Sequence, residues 1–464
     1  MTVTLEAKGA TTGPTRRRRH MLRRGPARRR PAAVDVLSGL AGLGLGVTIG
    51  FGLNVETTSS VSTLAGALTA TGRLAGLVSA YVIVTIVLLA ARIPPLERAI
   101  GQDRLVVWHR RLGPWGLYLL LAHVGLITFG YAQTARTGVI HQFVQLTLTY
   151  SWMLAAVVGT GLLFLAGLVS YHRLRRRLAH ETWWSIHLYM YLGLFLAFFH
   201  QIETGASFVG HPFARLWWIG LWGGTLATMI AFRVALPLWR SFRHRLRVVA
   251  VRPAGEGMWS ITMAGRRLSR LPIGGGQFMQ WRFLSRGLWW QAHPYSISAT
   301  PDDRHLRITV KLIGDHSTAL ADIPLGTRVA FEGPYGVFTA DSSGTDKVLL
   351  IGAGVGGTPI RAMLDDLPFR TDVVVILRGS TVADLVHRDE FHHLIERRQG
   401  RLYELIGSRS EVRLDREELE RFVPDIADRD VYVCGPDPFT DAIVSAAGRT
   451  GVPDRRIHRE TFSF

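Results

Sequence analysis

The chain has 464 residues, a formal net charge of +19 and 48% apolar content, with a positive mean hydropathy. That is too apolar for a typical soluble enzyme and too polar for a protein made only of membrane spans, and the length permits two to four domains. Its one cysteine, Cys434, excludes an internal disulfide and a cysteine-ligated iron–sulfur cluster.

The chain opens with nine arginines between Arg16 and Arg30. No small-residue cleavage site clearly follows them, so residues 1–33 are expected to be a retained basic cytoplasmic tail rather than a signal peptide. Six apolar stretches long enough to span a bilayer follow, near 34–54, 73–93, 109–131, 146–171, 182–202 and 214–236. Further arginines cluster at Arg173, Arg175, Arg176 and Arg177, and again at Arg233, Arg240, Arg243, Arg245 and Arg247. These clusters flank alternate ends of the apolar stretches, which is the positive-inside pattern of a multi-pass protein in the cytoplasmic membrane, in contact with lipid. The same placement argues against nucleic acid as a partner. With the tail inside, the third and fifth stretches run outward, and everything after about residue 240 lies in the cytoplasm.

Two of the stretches carry paired histidines: His109 and His123 in the third, His187 and His200 in the fifth. A histidine within a bilayer is expensive and usually functional. At about 1.5 Å per residue, fourteen residues rise about 21 Å, much of a hydrocarbon core of about 30 Å. The orientation puts His109 and His187 at the start of their helices near the inner leaflet, and His123 and His200 toward the outer one. Two sites with two imidazoles each suit two stacked b-type haems. Helical phase suits this less well in the fifth stretch, where thirteen residues leave the second histidine about 140° off. A bulge, a twist or a different approach angle is expected there. The alternative is that some of these histidines hydrogen-bond within the bundle or cap helix ends. His141, His172, His180 and His211 fall at helix ends or loops and are expected to be surface residues.

After about residue 245 the texture changes. Alternating strands such as Leu246–Arg252, Trp259–Met263 and Leu306–Leu312, separated by Gly- and Pro-containing turns, suggest an antiparallel barrel to about 340. Strands Val348–Ile351, Val373–Leu377 and Val431–Cys434 then alternate with helical stretches, a βαβ pattern that implies a parallel sheet. The expected organisation is therefore a basic tail (1–33), a six-helix transmembrane bundle (34–240), a cytoplasmic antiparallel β-barrel (241–340) and an α/β Rossmann-like domain (341–464). In the last of these, the strand ending at Ile351 runs into Gly352-Ala-Gly354-Val-Gly356-Gly357-Thr358-Pro359 and a helix. Glycines there let the backbone approach a pyrophosphate, and the helix N-terminus offers N–H groups and a favourable dipole. The next strand ends in Arg378 with no acidic residue at its tip, which favours the 2′-phosphate of NADPH over NADH, and Arg409 is a second candidate.

At His293-Pro294-Tyr295-Ser296-Ile-Ser298 and Val310-Lys311-Leu-Ile-Gly-Asp-His316-Ser317 the chain resembles the flavin-binding segments of the ferredoxin-reductase-like module. Gly333-Pro-Tyr-Gly336, the glycine loop, Cys434-Gly435-Pro436 and Glu460-Thr-Phe462 continue the resemblance in order. The His-Pro opening and the Gly-Asp pair are similar to the membrane flavocytochromes, the ferric reductases and NADPH oxidases, which also pair histidines on their third and fifth helices. The resemblance covers about residues 73–464. It implies FAD held by His293, Pro294, Tyr295, Ser296 and Lys311, with Ser317 or Thr318 on the pyrophosphate. It implies nucleotide bound at Gly352, Gly354, Gly356, Gly357, Thr358, Gly435 and Pro436. Cys434 and Glu460 would line the hydride-transfer site, and Phe462 would cover the flavin. The chain continues past Phe462 to Phe464, leaving open which ring stacks, and His316 stands where the family often has a larger aromatic. Arg110 and Arg111 are either haem-propionate partners or membrane anchors.

The implied activity is electron transfer from NAD(P)H through FAD and two haems to an acceptor outside the membrane, with ferric complexes favoured. A superoxide-producing oxidase acting on O2, a relay to a periplasmic partner protein and a non-enzymatic membrane anchor are the alternatives.

Overall fold

The computed structural model describes residues 3–5, 31–178, 180–408 and 411–462. Two compact units are present, one of residues 30–234 and one of residues 235–464 with the first 29 residues.

The first unit is helical: α1 (Pro31–Leu53), α2 (Leu64–Ala90), α3 (Gln102–Ala135), α4 (Val139–Thr149), α5 (Met153–Ser170), α6 (His180–Thr204) and α7 (Pro212–Met229). Six helices are long and apolar enough to cross a membrane, at Val34–Leu53, Leu64–Ala90, Arg104–Ala135, Met153–Ser170, Thr182–Thr204 and Pro212–His244. The last continues through a π-helical turn (Ile230–Ala235) into α8 (Leu236–His244). All six expected spans are present, with shifted ends. The second begins at Leu64 because the Thr63 side chain caps it, accepting from the Gly66 N–H. The fourth begins at Met153 rather than near 146. Its expected first turn belongs to α4, which ends at Thr149 with Tyr150 as C-cap, and Trp152 in the left-handed region is the N-cap of the next helix.

Within this unit α2 lies along α3 and α5 along α6. One buried cluster gathers Leu77, Ile202, Phe208, Ala214 and Trp218, and another gathers Ile83, Val87, Leu163 and Leu194. Meanwhile Leu43, Leu121, Leu168, Phe195 and Leu216 are exposed. So much exposed apolar surface on helices that satisfy their own backbone suits hydrocarbon, not water.

In the second unit a short strand β1 (Val3–Leu5) precedes a six-stranded antiparallel sheet. Its members are β2 (Arg247–Gly255), β3 (Met258–Ala264), β4 (Phe278–Phe283), β5 (His293–Ala299), β6 (His305–Lys311) and β7 (Val329–Tyr335), in the order β2-β3-β6-β5-β4-β7. The Val248 N–H donates to Thr327 O and the Val329 N–H to Leu246 O, so β2 meets the β7 edge and closes a barrel. Alternating burial along β4 and β7 puts Met279, Trp281, Phe283 and Phe331 in its core.

The second sheet holds β8 (Lys347–Ala353), β9 (Asp372–Gly379), β10 (Arg401–Ile406), β11 (Asp430–Gly435) and β12 (Ile457–Thr461), in the order β1-β10-β9-β8-β11-β12. All pairings are parallel except that of β1, which runs antiparallel on the β10 edge. Helices α9 (Gly357–Asp366), α10 (Arg388–Arg398) and α11 (Asp437–Arg449) cover it. Val348 and Leu350 enter one apolar core and Leu349 and Ile351 another, as continuous apolar strands buried on both faces require. Of the tail expected over 1–33, residues 6–30 lie outside the described residues, and α1 begins at Pro31.

Candidate functional site

The intramembrane histidines meet in pairs. α3 begins at Gln102 and α6 at His180, so His109 and His187 each lie seven residues inside (109 − 102 and 187 − 180), not at helix starts as the sequence suggested. Their ring centroids are 6.3 Å apart, 64° from coplanar. The second pair, His123 and His200, lines a common cavity of about 210 Å³ with Leu77, Ile127 and Phe208. No bulge interrupts α6, which leaves a twist or a different approach angle of the three arrangements expected.

Three of the four imidazoles are oriented through Nδ1. His123 Nδ1 lies 2.8 Å from Gly72 O and His109 Nδ1 3.2 Å from Ile86 O. A carbonyl only accepts, so both nitrogens donate and both Nε2 atoms keep a lone pair for a metal. His187 Nδ1 lies 3.2 Å from Ser170 Oγ, which also accepts from Trp183 Nε1 at 3.1 Å. His200 Nδ1 is buried without a partner. Gly76 makes room for this arrangement, since a Cβ there would fall 2.5 Å from His123 Nδ1. Among the described residues no three His, Cys, Asp or Glu side chains gather to hold a bare ion. Paired imidazoles therefore fit a macrocycle that brings its own equatorial nitrogens. Ser170, Gly72 and Gly76 were not singled out from sequence, although Gly72-Arg-Leu-Ala-Gly76 is a small-x3-small pattern that marks close helix approach. Arg110 and Arg111 are exposed.

In the second unit the segment His293–Ser298 forms β5. His293 stacks on His316 with ring centroids 3.7 Å apart, and Tyr295 Oη lies 3.4 Å from His316 Nδ1. Burial, then the neighbouring His293, lowers His316 to about 4, so it is neutral at physiological pH. Burial pushes the Tyr295 hydroxyl up. Ser296 Oγ, His316 Nε2 and Thr358 Oγ1 are all buried without hydrogen-bond partners. Orphaned polar atoms are rare in folded proteins. Three in the flavin and nucleotide segments fit ligands that satisfy them. Ser317 Oγ is already engaged, accepting from the Ile313 and Gly314 N–H groups and donating to Gly314 O, while Lys311 is exposed.

The glycine loop joins β8 to α9, with Gly354 at φ 54°. A Cβ on Gly356 would lie 2.2 Å from Cys434 O, so only glycine lets this turn approach β11. Sheet register aligns Gly352, Cys434 and Glu460 across β8, β11 and β12. They sit at the carboxyl ends of strands at the point where strand order reverses, the usual ligand crevice of such sheets. Gly435 and Pro436 lead into α11, and the Phe462 N–H reaches Gly435 O at 3.5 Å. Phe462 packs against the core that contains Phe338 and Cys434, and Phe464 lies outside the described residues.

Arg378 is turned inward. It is 8% exposed, and its guanidinium donates to the carbonyls of Gly379, Leu405, Gly407 and Ser408. Its side chain therefore shapes the loop after β10 instead of being presented to a nucleotide phosphate, against the sequence-based expectation. Arg409 lies outside the described residues.

Burial, reinforced by the charge of Glu460, raises the Cys434 thiol well above its ordinary value. Only thiolate alkylates readily. Native protein at pH 8 is therefore expected to resist iodoacetamide at Cys434 and to react stoichiometrically once unfolded, which peptide mass spectrometry reads directly.

Sequence reasoning also missed a charged knot between barrel and sheet. Arg307 grips Glu390 through both oxygens, at 2.6 and 2.8 Å, while its Nε donates to Ser298 Oγ at 2.9 Å. Arg361 donates to Glu390 at 2.5 Å and to Asp365 at 2.5 Å, and His387 lies 2.8 Å from Thr309 Oγ1. No local signal could have found it, because its members are dispersed from 298 to 390.

Fold and site define a multi-pass membrane protein bearing the FAD- and NAD-binding domains of an oxidoreductase. Three family profiles match in order: ferric reductase like transmembrane component over 75–198, FAD-binding domain over 244–339 and oxidoreductase NAD-binding domain over 350–445. The chain thus carries a ferric reductase-like transmembrane domain followed by FAD-binding and NAD-binding oxidoreductase domains. It is 29% identical over 241 residues to an NADPH oxidoreductase of Mycobacterium tuberculosis, covering 50% of this chain and 63% of that protein. It is 32% identical to the NADH oxidoreductase HCR of Escherichia coli (36% of this chain, 53% of that one). It is also 28% identical to respiratory burst oxidase homolog protein G of Arabidopsis thaliana (32% and 20%). The chain spans about half to 63% of the length of the bacterial reductases it matches. Among solved structures, a flavohemoglobin from Malassezia yamatoensis aligns over 88% of this chain and 99% of its own at 17% identity and a TM-score of 0.44.

Proposed function

We propose that this chain carries electrons from NAD(P)H across the cytoplasmic membrane, by way of FAD and two b-type haems, to a small extracytoplasmic acceptor, with ferric complexes as the class. The observation that carries this reading is the meeting of His109 with His187 and of His123 with His200 in one bundle, on the same chain as the two dinucleotide-binding domains. The arginine clusters support an orientation with the tail and both soluble domains in the cytoplasm.

Bound flavin supplies the conversion of a hydride's electron pair into single electrons of the kind haem iron accepts. The chain's own residues position the partners. The N–H groups from Gly354 to Thr358 and the α9 N-terminus would hold the dinucleotide pyrophosphate. Ser296 and the His293–Tyr295–His316 cluster would hold the flavin, Ser317 or Thr318 its pyrophosphate, and Cys434, Glu460 and Phe462 would border the nicotinamide. Ser170 would fix the His187 tautomer, and losing such an outer partner weakens metal sites about 10–100-fold. Ser170→Ala is therefore expected to lower haem affinity at the His109/His187 site by that range in a haem titration, with FAD content unchanged.

Proteoliposomes test the function. With NADPH or NADH outside and ferric citrate trapped inside, inward-facing reduction is expected only from vesicles whose soluble domains face out. Flavin reduction without reduction of the trapped acceptor would defeat the proposal.

A further inference from the structure

Where the sixth apolar stretch ends, α8 meets the barrel and forms a concavity of about 430 Å³ lined by Trp239, Phe242, Arg243, Arg245, Arg266 and Arg267. The arginines come from segments some twenty positions apart. They are brought together because the end of α8 is stitched to the turn after β3: His244 Nδ1 donates to Arg266 O at 2.9 Å, and the Arg266 N–H donates to His244 O at 2.8 Å. Leu246 and Leu268 are fully buried beside this junction. Two of the four arginines, Arg245 at φ 49° and Arg267 at φ 54°, occupy the left-handed region. That conformation favours glycine or asparagine. Cationic side chains are thus placed on the rim at a backbone penalty.

Among the described residues no ion pair engages any of these four arginines. Arg243 lies over the Trp239 ring at 5.3 Å, and Arg245 Nε donates to Phe242 O at 3.3 Å. Four guanidinium groups with no carboxylate among them call for an oxyanion that can take several donors, and phosphate is the group whose geometry guanidinium matches. The rest of the lining is apolar, and Leu238, Trp239 and Phe242 are 52, 56 and 73% exposed. Exposed aromatics beside cations, on a helix that continues an apolar span, form the pattern of a membrane interface.

We infer that this concavity binds the headgroup phosphate of an anionic phospholipid, in the leaflet where the sixth span ends. The arginines take the phosphate, and Trp239 and Phe242 lie against the glycerol and upper acyl chain. Free phosphate shares the first half of this chemistry but would leave the aromatic wall exposed.

The test uses full-length protein, delipidated in neutral detergent and titrated with phosphatidylglycerol or phosphatidylcholine, with bound lipid read by native mass spectrometry. Phosphatidylglycerol is expected to bind and phosphatidylcholine not, and millimolar inorganic phosphate should fail to displace it. Each juxtamembrane arginine contributes about fivefold to such binding, so Arg266→Gln with Arg267→Gln should weaken it about thirtyfold. Flavin absorbance reports whether the barrel is intact. If that pair disturbs it, Arg243→Gln with Arg245→Gln on the opposite wall gives the same reading. Equal binding of both lipids, or undiminished binding in both variant pairs, would overturn the inference. Displacement by inorganic phosphate would reduce the site to one for free anions and overturn it equally.

Discussion

His123→Ala and His200→Ala are each expected to leave the flavin module working and the membrane path broken. Both residues line one cavity, and together they would hold the haem proposed there. Either variant should therefore lose about half of the bound haem, measured as pyridine haemochrome per flavin. Transmembrane reduction should fall to background, while NAD(P)H still bleaches the flavin. His109→Ala and His187→Ala should lose the other half. The two pairs are distinguishable because the His123 Nδ1 partner is a backbone carbonyl, whereas His187 depends on the Ser170 hydroxyl. Ser170→Ala should thus perturb only the His109/His187 pair. Full haem retention in any one of the four variants would remove that residue from the ligand set.

Glu390→Gln has the largest effect expected in the soluble unit. Burial alone would raise this carboxyl, but hydrogen bonds from His387 and Arg307 and the charges of Arg361 and Arg307 outweigh it and hold it well below its ordinary value. Removing the charge leaves the partly buried Arg307 guanidinium without a carboxylate, while Arg361 keeps only Asp365. Losing one partner of a buried pair costs about 3–5 kcal/mol. Because the Glu390 side chain is 33% exposed, about 2–3 kcal/mol is the reasonable figure after screening. The melting temperature, followed by flavin fluorescence, should fall by about 5–10 °C. By contrast the exposed pair Arg459–Asp441 should be insensitive to Asp441→Asn. The sign with pH follows from the depressed folded-state value. The stabilisation is complete above the unfolded-chain value of 4.5 and is lost as pH falls below it. Wild type and Glu390→Gln should therefore converge in stability as the medium is acidified.

Much of this architecture is legible in the sequence because it rests on signals that act over short stretches. Apolar runs report the six spans, four histidines stand out inside two of them, and the flavin and nucleotide motifs follow in order. What escaped depends on tertiary placement. α4 merges with the apolar run of the next helix, so its amphipathic character, with Gln142 and Leu146 buried, is masked. The thirteen-residue spacing in α6 called for a bulge, a twist or a different approach angle, and the helix is uninterrupted. Pro114 lies between His109 and His123 in α3 and removes a backbone hydrogen bond there. The approach of two helices to a shared site is a different constraint from the helical phase of one. Arg378 illustrates the opposite limit. Its position at a strand tip was visible, but the loop carbonyls that capture its guanidinium were not. The Glu390 knot joins residues with no common pattern along the chain, and only the fold assembles it.

An anaerobic visible spectrum of detergent-purified, haem-supplied protein, taken before and after NADPH, separates a haem-bearing electron path from a flavin module tethered to an inert bundle. Paired intramembrane histidines joined to a working flavin module predict sharp reduced b-type bands that appear only with both FAD and NADPH. Their intensity should correspond to two haems per chain, halved by His200→Ala. Flavin bleaching with no haem bands would contradict the account, leaving a membrane-tethered flavin reductase whose histidines only pack the bundle.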